Sequence, residues 1–190
     1  MTFDQCIRVA LTYIGDAQLK RYYDLNGIDD MLDVENSRKI GVLVECCDII
    51  VNQIACEFCH LTTAETLTAT AKMILSESLS EDAVEILSVK RAGKEVPFRV
   101  SGNAIKLPDD GEYEITYTYA PKRITRADTV LPFFGSSVTP RVIGIGMAAE
   151  YMMINGFNDE ALALDDLFTR AMKQIEDAPE NSRMPQRRWE

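Results

Sequence analysis

Residues 56–60 read Cys-Glu-Phe-Cys-His, the spacing by which a c-type haem is tethered to a chain. Haem attachment requires an oxidising export route and a second axial ligand. His60 is the only histidine, so a methionine would have to supply that ligand. Zinc requires four ligands in a compact arrangement. Cys56, Cys59 and His60 offer three, while Cys46 and Cys47 lie roughly two to three turns back along one helical rod. A redox Cys-x-x-Cys pair gains its low pKa from a helix N-terminus. This pair falls near a helix C-terminus, where the dipole acts the other way. The expectation is that these soft side chains fill a helix contact, with no metal and no cofactor. The alternative is a cytosolic thiol- or metal-binding module built on Cys56, Cys59 and His60.

Gly144, Gly146 and Ala149 form G-x-G-x-x-A, and Asp165 lies downstream, as in a dinucleotide-binding fingerprint. The context opposes that reading. After Pro140-Arg141 only Val142 and Ile143 remain for a strand, and the chain beyond Asp165 is too short for further βαβ elements. Val142, Ile145, Ala149, Met152 and Met153 keep helical spacing through the glycines, which are expected to let another helix come close. A small nucleotide-binding enzyme is the further alternative. Paired acids at Asp29-Asp30 and Asp109-Asp110 belong to turns, and Asp165-Asp166 to an exposed helix surface. No G-x-S-x-G, P-loop or H-E-x-x-H occurs, so the chain is expected not to be an enzyme.

The elements that carry these residues follow from periodicity. A short helix is expected over 2–14, capped by Thr2, with Phe3, Ile7, Ala10, Leu11 and Ile14 on one stripe. A second piece, Ala-Gln-Leu-Lys-Arg-Tyr-Tyr-Asp-Leu, stops at Asn26-Gly27. A turn-rich link leads to a long helix over about 36–60, with Ile40, Leu43, Cys47, Ile50, Ile54 and Phe58 in helical register. After Thr62 the period changes to that of strands. Hairpins are expected at Ala92-Gly93 and at Asp109-Asp110-Gly111, and Tyr113, Ile115, Tyr117 and Tyr119 alternate with polar residues. Following an extended connection with Pro121 and Pro132, Thr139-Pro140 opens a helix to about Ile154. Asn155-Gly156 breaks it, Asn158 recaps, and a last helix to about Asp177 is expected to bury Leu164, Leu167, Phe168, Ala171 and Ile175. Tyr22, Tyr23, Phe133, Phe134 and Trp189 fall at element ends or links and suit either packing or partner contacts.

The fold class expected is therefore α+β. Residues 1–62 and 121–178 form a mainly α-helical bundle, 63–120 an inserted small antiparallel β module, and 179–190 a flexible C-terminal tail.

The 190 residues carry a formal net charge of -10, which opposes nucleic-acid binding through a basic face. The tail reverses the sign locally: Arg183, Arg187 and Arg188 stand against Glu190, beside Trp189. No apolar run approaches the roughly 18 residues of a membrane helix, and no secretory signal is visible. Five cysteines, two of them adjacent, suggest reduced thiols.

Three stretches resemble the head–tail connector (adaptor, or neck) proteins of tailed bacteriophages and prophages. They are the opening Met-Thr-Phe-Asp-Gln-Cys-Ile-Arg-Val-Ala-Leu-Thr-Tyr-Ile-Gly-Asp, the insertion from Val84 to Lys122, and the helical hairpin from Thr139 to Ile175. The resemblance is one of pattern and order over nearly the whole chain; the cysteines are not part of it. It implies a structural protein of the virion, assembled in the bacterial cytoplasm into a ring, commonly of twelve subunits, between portal and tail or stopper proteins. It further implies that the tail, through Arg183, Arg187, Arg188 and Trp189, reaches toward the portal.

Overall fold

The computed structural model describes residues 1–28, 33–125, 129–133 and 138–176. The fold is α+β, with five α-helices and two small antiparallel sheets among the described residues. The chain divides into two compact units: Met1–Phe3 with Cys47–Phe134, and Asp4–Cys46 with Gly135–Glu190, as far as their residues are described. The division falls inside the long third helix and before the second helical stretch, not at 62/63 and 120/121.

The helical unit draws on α1 (Phe3–Ile14), α2 (Ala17–Asn26), the first part of α3 (Val34–Gln53), α4 (Pro140–Ile154) and α5 (Asn158–Glu176). The Asp16 carboxylate accepts from the Gln18 and Leu19 N–H groups and starts α2. Gly27, at φ 67°, ends it. Asp33 accepts from the N–H groups of Glu35 and Asn36, so α3 begins slightly earlier than its apolar pattern suggests. The Thr139 hydroxyl accepts from Val142 N–H, with Pro140 in the first turn of α4.

Helix α4 is buried along most of its length, from Val142 to Tyr151. A Cβ at Gly144 would lie 2.6 Å from the Val9 side chain and 2.9 Å from the Cys6 carbonyl oxygen. The missing side chain is what lets α1 approach α4. On α5 the expected stripe is turned by part of a helical step. Ala161, Phe168 and Met172 are buried, whereas Leu164, Ala171 and Ile175 are half-buried and Leu167 is 46% exposed. Both stripes satisfy helical spacing, and only packing distinguishes them. Asn158 is the first residue of α5 rather than a flanking cap.

In the other unit, β1 (Thr62–Ala69), β7 (Gly111–Tyr119), β3 (Ala83–Arg91) and β4 (Lys94–Glu95) form one sheet in that order. Strands β2 (Met73–Leu75), β6 (Ala104–Lys106) and β5 (Arg99–Ser101) form the second. Tyr113, Ile115 and Tyr117 of β7 point into a core shared with Ile74, Val89, Ile105 and Leu107. The Ala92-Gly93 hairpin forms, with φ 49° and 76°. Its second arm is cut short at Pro97, which has no N–H for a ladder.

The second expected hairpin does not form. Strand β6 pairs with β2 and β5, and β7 pairs with β1 and β3, so Asp109-Asp110-Gly111 carries the chain between sheets. Pro108 interrupts the ladder on the β6 side. The insertion is thus not a series of hairpins between sequence neighbours; its first and last long strands pair, with Thr62 opposite Thr118 and Ala69 opposite Gly111.

Gly144→Ala gains helix propensity but meets the Cys6 backbone, so it is expected to destabilise by about 1–3 kcal/mol in chemical unfolding. Gly41→Ala, on an exposed position of α3 with open space, is expected to stabilise by about 0.5–1 kcal/mol. In the β unit the Glu65 carboxylate accepts from the Tyr117 hydroxyl at 2.6 Å and from Ser80 N–H at 3.0 Å. Burial pushes its pKa up, but these hydrogen bonds pull it below its ordinary value. Glu65 therefore contributes stability above its unfolded-state pKa that is lost as pH falls through its folded one. Glu65→Gln is expected to flatten the acid limb of a stability–pH curve.

Candidate functional site

The Cys-x-x-Cys-His stretch leaves α-helical geometry. Residues Ile54–Phe58 form a π turn, closed by Cys59 N–H to the Ile54 carbonyl at 2.7 Å. The long helix expected to about residue 60 therefore changes pitch after Gln53, and the two thiols do not keep ordinary i,i+3 placement. The His60 Nδ1 lies 3.1 Å from the Ala55 carbonyl oxygen, so the imidazole caps the turn. Cys56 is exposed and Cys59 is half-buried. Burial raises the Cys59 thiol pKa, the direction opposite to that of a redox nucleophile. Burial pushes Cys6 and Cys46 up to about 12. Among the described residues no group of three or more His, Cys, Asp or Glu is placed to hold a metal ion.

Gly144 and Gly146 lie inside α4, which runs without a break from Pro140 to Ile154. The strand and glycine turn that a dinucleotide fingerprint demands are therefore not built there. Asp165 and Asp166 are exposed on α5, and Asp166 pairs with Arg170 at 2.9 Å. Asp109 lies 3.6 Å from Arg91 and 3.9 Å from Lys72, and Asp110 accepts from the Lys72 N–H. That acid pair fastens the turn between the sheets. Asp29-Asp30 lies outside the described residues. Tyr22 and Tyr23 are buried, the Tyr23 hydroxyl donating to Asp4 at 3.1 Å. Phe133 is buried; Phe134 lies outside the described residues.

The helical unit has a cleft of about 710 Å³ between the α1–α2 turn and the α4–α5 corner. Three of its polar residues have partners within the fold. Asp16 caps α2, Lys39 pairs with Glu35 at 3.0 Å, and the Asn155 amide donates to the Tyr151 carbonyl at 2.7 Å. Each of these three serves the fold, and Tyr13, Tyr151 and Glu160 complete the polar lining.

The β unit holds a second cleft, of about 650 Å³. Sequence periodicity missed the feature that shapes it. Strand β3 has two irregularities against β7, between Ala83 and Glu85 and between Ile86 and Ser88. Val84 and Leu87 are the extra residues, and both are exposed. The available signal was the adjacent aliphatic pair Ile86-Leu87, which breaks the alternation of a half-buried strand.

Arg183, Arg187, Arg188 and Trp189, expected to contact a partner, lie outside the described residues. No helix among the described residues is long and apolar enough to cross a membrane. No protein-family model matches the chain, and no curated protein is significantly similar to it.

Cys56 is expected to react first with a thiol alkylating reagent on the folded protein, followed by Cys59. Cys6, Cys46 and Cys47 should react only on unfolding, as read by intact mass against time.

Proposed function

We propose that the chain is a structural subunit of the head–tail junction of a tailed bacteriophage, forming a ring between portal and tail. The observation that carries this reading is apolar surface on both units. Val84 and Val100 of the β unit are 62% and 53% exposed, and Ile154, Phe157 and Leu162 of the helical unit are 56%, 54% and 59% exposed. Large apolar side chains exposed in two separate regions suit a subunit that buries two different faces in a closed ring. The order of elements supports the same reading: helices, an inserted β unit, then a helical hairpin, the order on which the resemblance rests.

The net charge of -10 fits a protein that surrounds passing DNA without holding it. The basic segment containing Arg183, Arg187, Arg188 and Trp189 is the docking peptide of this proposal. The ring has no catalytic task in this reading and needs no cofactor.

Mixing the full-length protein with the portal encoded beside it, followed by negative-stain imaging, is expected to show added ring density on one end of the portal. Portals that remain bare at saturating subunit concentration would count against the connector role. A monomeric protein in isolation would not, because a ring seeded by the portal is one form of the proposal.

A further inference from the structure

Consecutive residues of β3, from Ala83 to Ile86, all line the 650 Å³ cleft. The bulge at Val84 breaks the alternation of the strand, so successive side chains of this stretch meet one cleft. The outer side of β3 is open there. Strand β4 pairs only with Lys90 and Arg91, and the Val96 N–H reaches Val89. From Ala83 to Ser88 no strand among the described residues covers that edge. The opposite wall is the β5–β6 hairpin, with Val100, Ala104 and Ile105. An open edge beside an apolar wall is the acceptor geometry for an added extended segment.

Charge narrows the occupant. Glu77, Asp82 and Glu85 are exposed along the same stretch of chain, and the cations near it are Lys122, which interacts with Asp82, and the exposed Arg99 and Lys106 of β5 and β6. The matching segment is one with several cations and a large apolar anchor. Within residues 177–190 the last ten, 181–190, meet that description, with Arg183, Arg187, Arg188, Met184 and Trp189 against Glu190, while Asp177 and Glu180 precede them. Fourteen residues follow Glu176, a reach of up to about 46–50 Å when extended.

We infer that residues 177–190 of one copy dock along the open β3 edge of a second copy, Trp189 entering the apolar cleft and the arginines facing Glu77, Asp82 and Glu85. Docking in trans rests on the ring reading, because a groove and a tail are the two unlike surfaces that a closing head-to-tail contact requires. The seat proposed for the tail is then a neighbouring subunit.

Trp189 is the only tryptophan, so its emission reports the event. A peptide of residues 177–190 is titrated into the full-length Trp189→Ala protein, which is otherwise free of tryptophan. A saturable blue shift that weakens as salt rises is expected. Val84→Asp in the acceptor is expected to abolish it, and Glu85→Lys to weaken binding about tenfold. Both positions are exposed, and unchanged unfolding midpoints will show that the acceptors are folded. Leu162→Asp on α5, exposed in the helical unit, should leave binding unchanged.

In the unmodified protein the blue shift should fade on dilution. A peptide that shows no shift, or one equally strong with Val84→Asp, overturns the inference. A shift in the intact chain that persists at all dilutions assigns the groove to the chain's own tail and overturns docking in trans. A peptide that binds isolated portal but not the acceptor overturns the inference while leaving the ring reading intact. Peptide binding to the acceptor alongside bare portals has the converse meaning.

Discussion

The β unit depends on one strand. Strand β7 lies between β1 and β3, sends Tyr113, Ile115 and Tyr117 into the core, and holds the two ends of the insertion together by pairing with β1. The Tyr117 hydroxyl completes the arrangement at the surface through Glu65. With Thr62 opposite Thr118, the chain enters and leaves the insertion at one place. Such an insertion can be carried by a helical protein without separating the helices that flank it in sequence.

The helical unit has its own narrow constraint. Helix α4 is apolar around most of its circumference and is buried accordingly. Its contact with α1 is set by Gly144 against Val9 and the Cys6 carbonyl. The same glycine that imitates a nucleotide fingerprint in sequence thus serves helix packing.

Much of this was legible in the residues. The cap at Thr139, the stop at Gly27, the Ala92-Gly93 turn and the alternation of β7 each follow from local chemistry, and each forms. What periodicity did not reveal is non-local. Strand β6 pairs with β2 and β5 and not with the nearer β7; Pro108 interrupts the ladder between them, and Asp109 lies by Lys72 and Arg91 in the turn. The π turn at Ile54–Phe58 leaves no mark in an apolar pattern, since one extra residue per turn shifts the helical face only after the pattern has ended. On α5, Leu167 and Met172 are equally apolar in sequence; neighbouring elements decide that Met172 is buried. For the candidate surfaces, the thiols were read as structural from their position, while the open edge of β3 emerged only when the bulges placed Val84 and Leu87 outward.

The pairing of first and last strands also fixes a timetable for synthesis. Helices α1 and α2 have local hydrogen bonds and can form as they emerge, whereas β1 has no ladder partner until nearly the whole insertion has left the ribosome. During that interval β1 is unpaired and β3 is paired only at its end with β4, so their Thr-rich and aliphatic stretches are exposed to other nascent chains. The arrival of Glu112–Tyr119 ends the exposure in one step, so the yield of folded protein should be governed by the last few residues of the insertion more than by either helical segment.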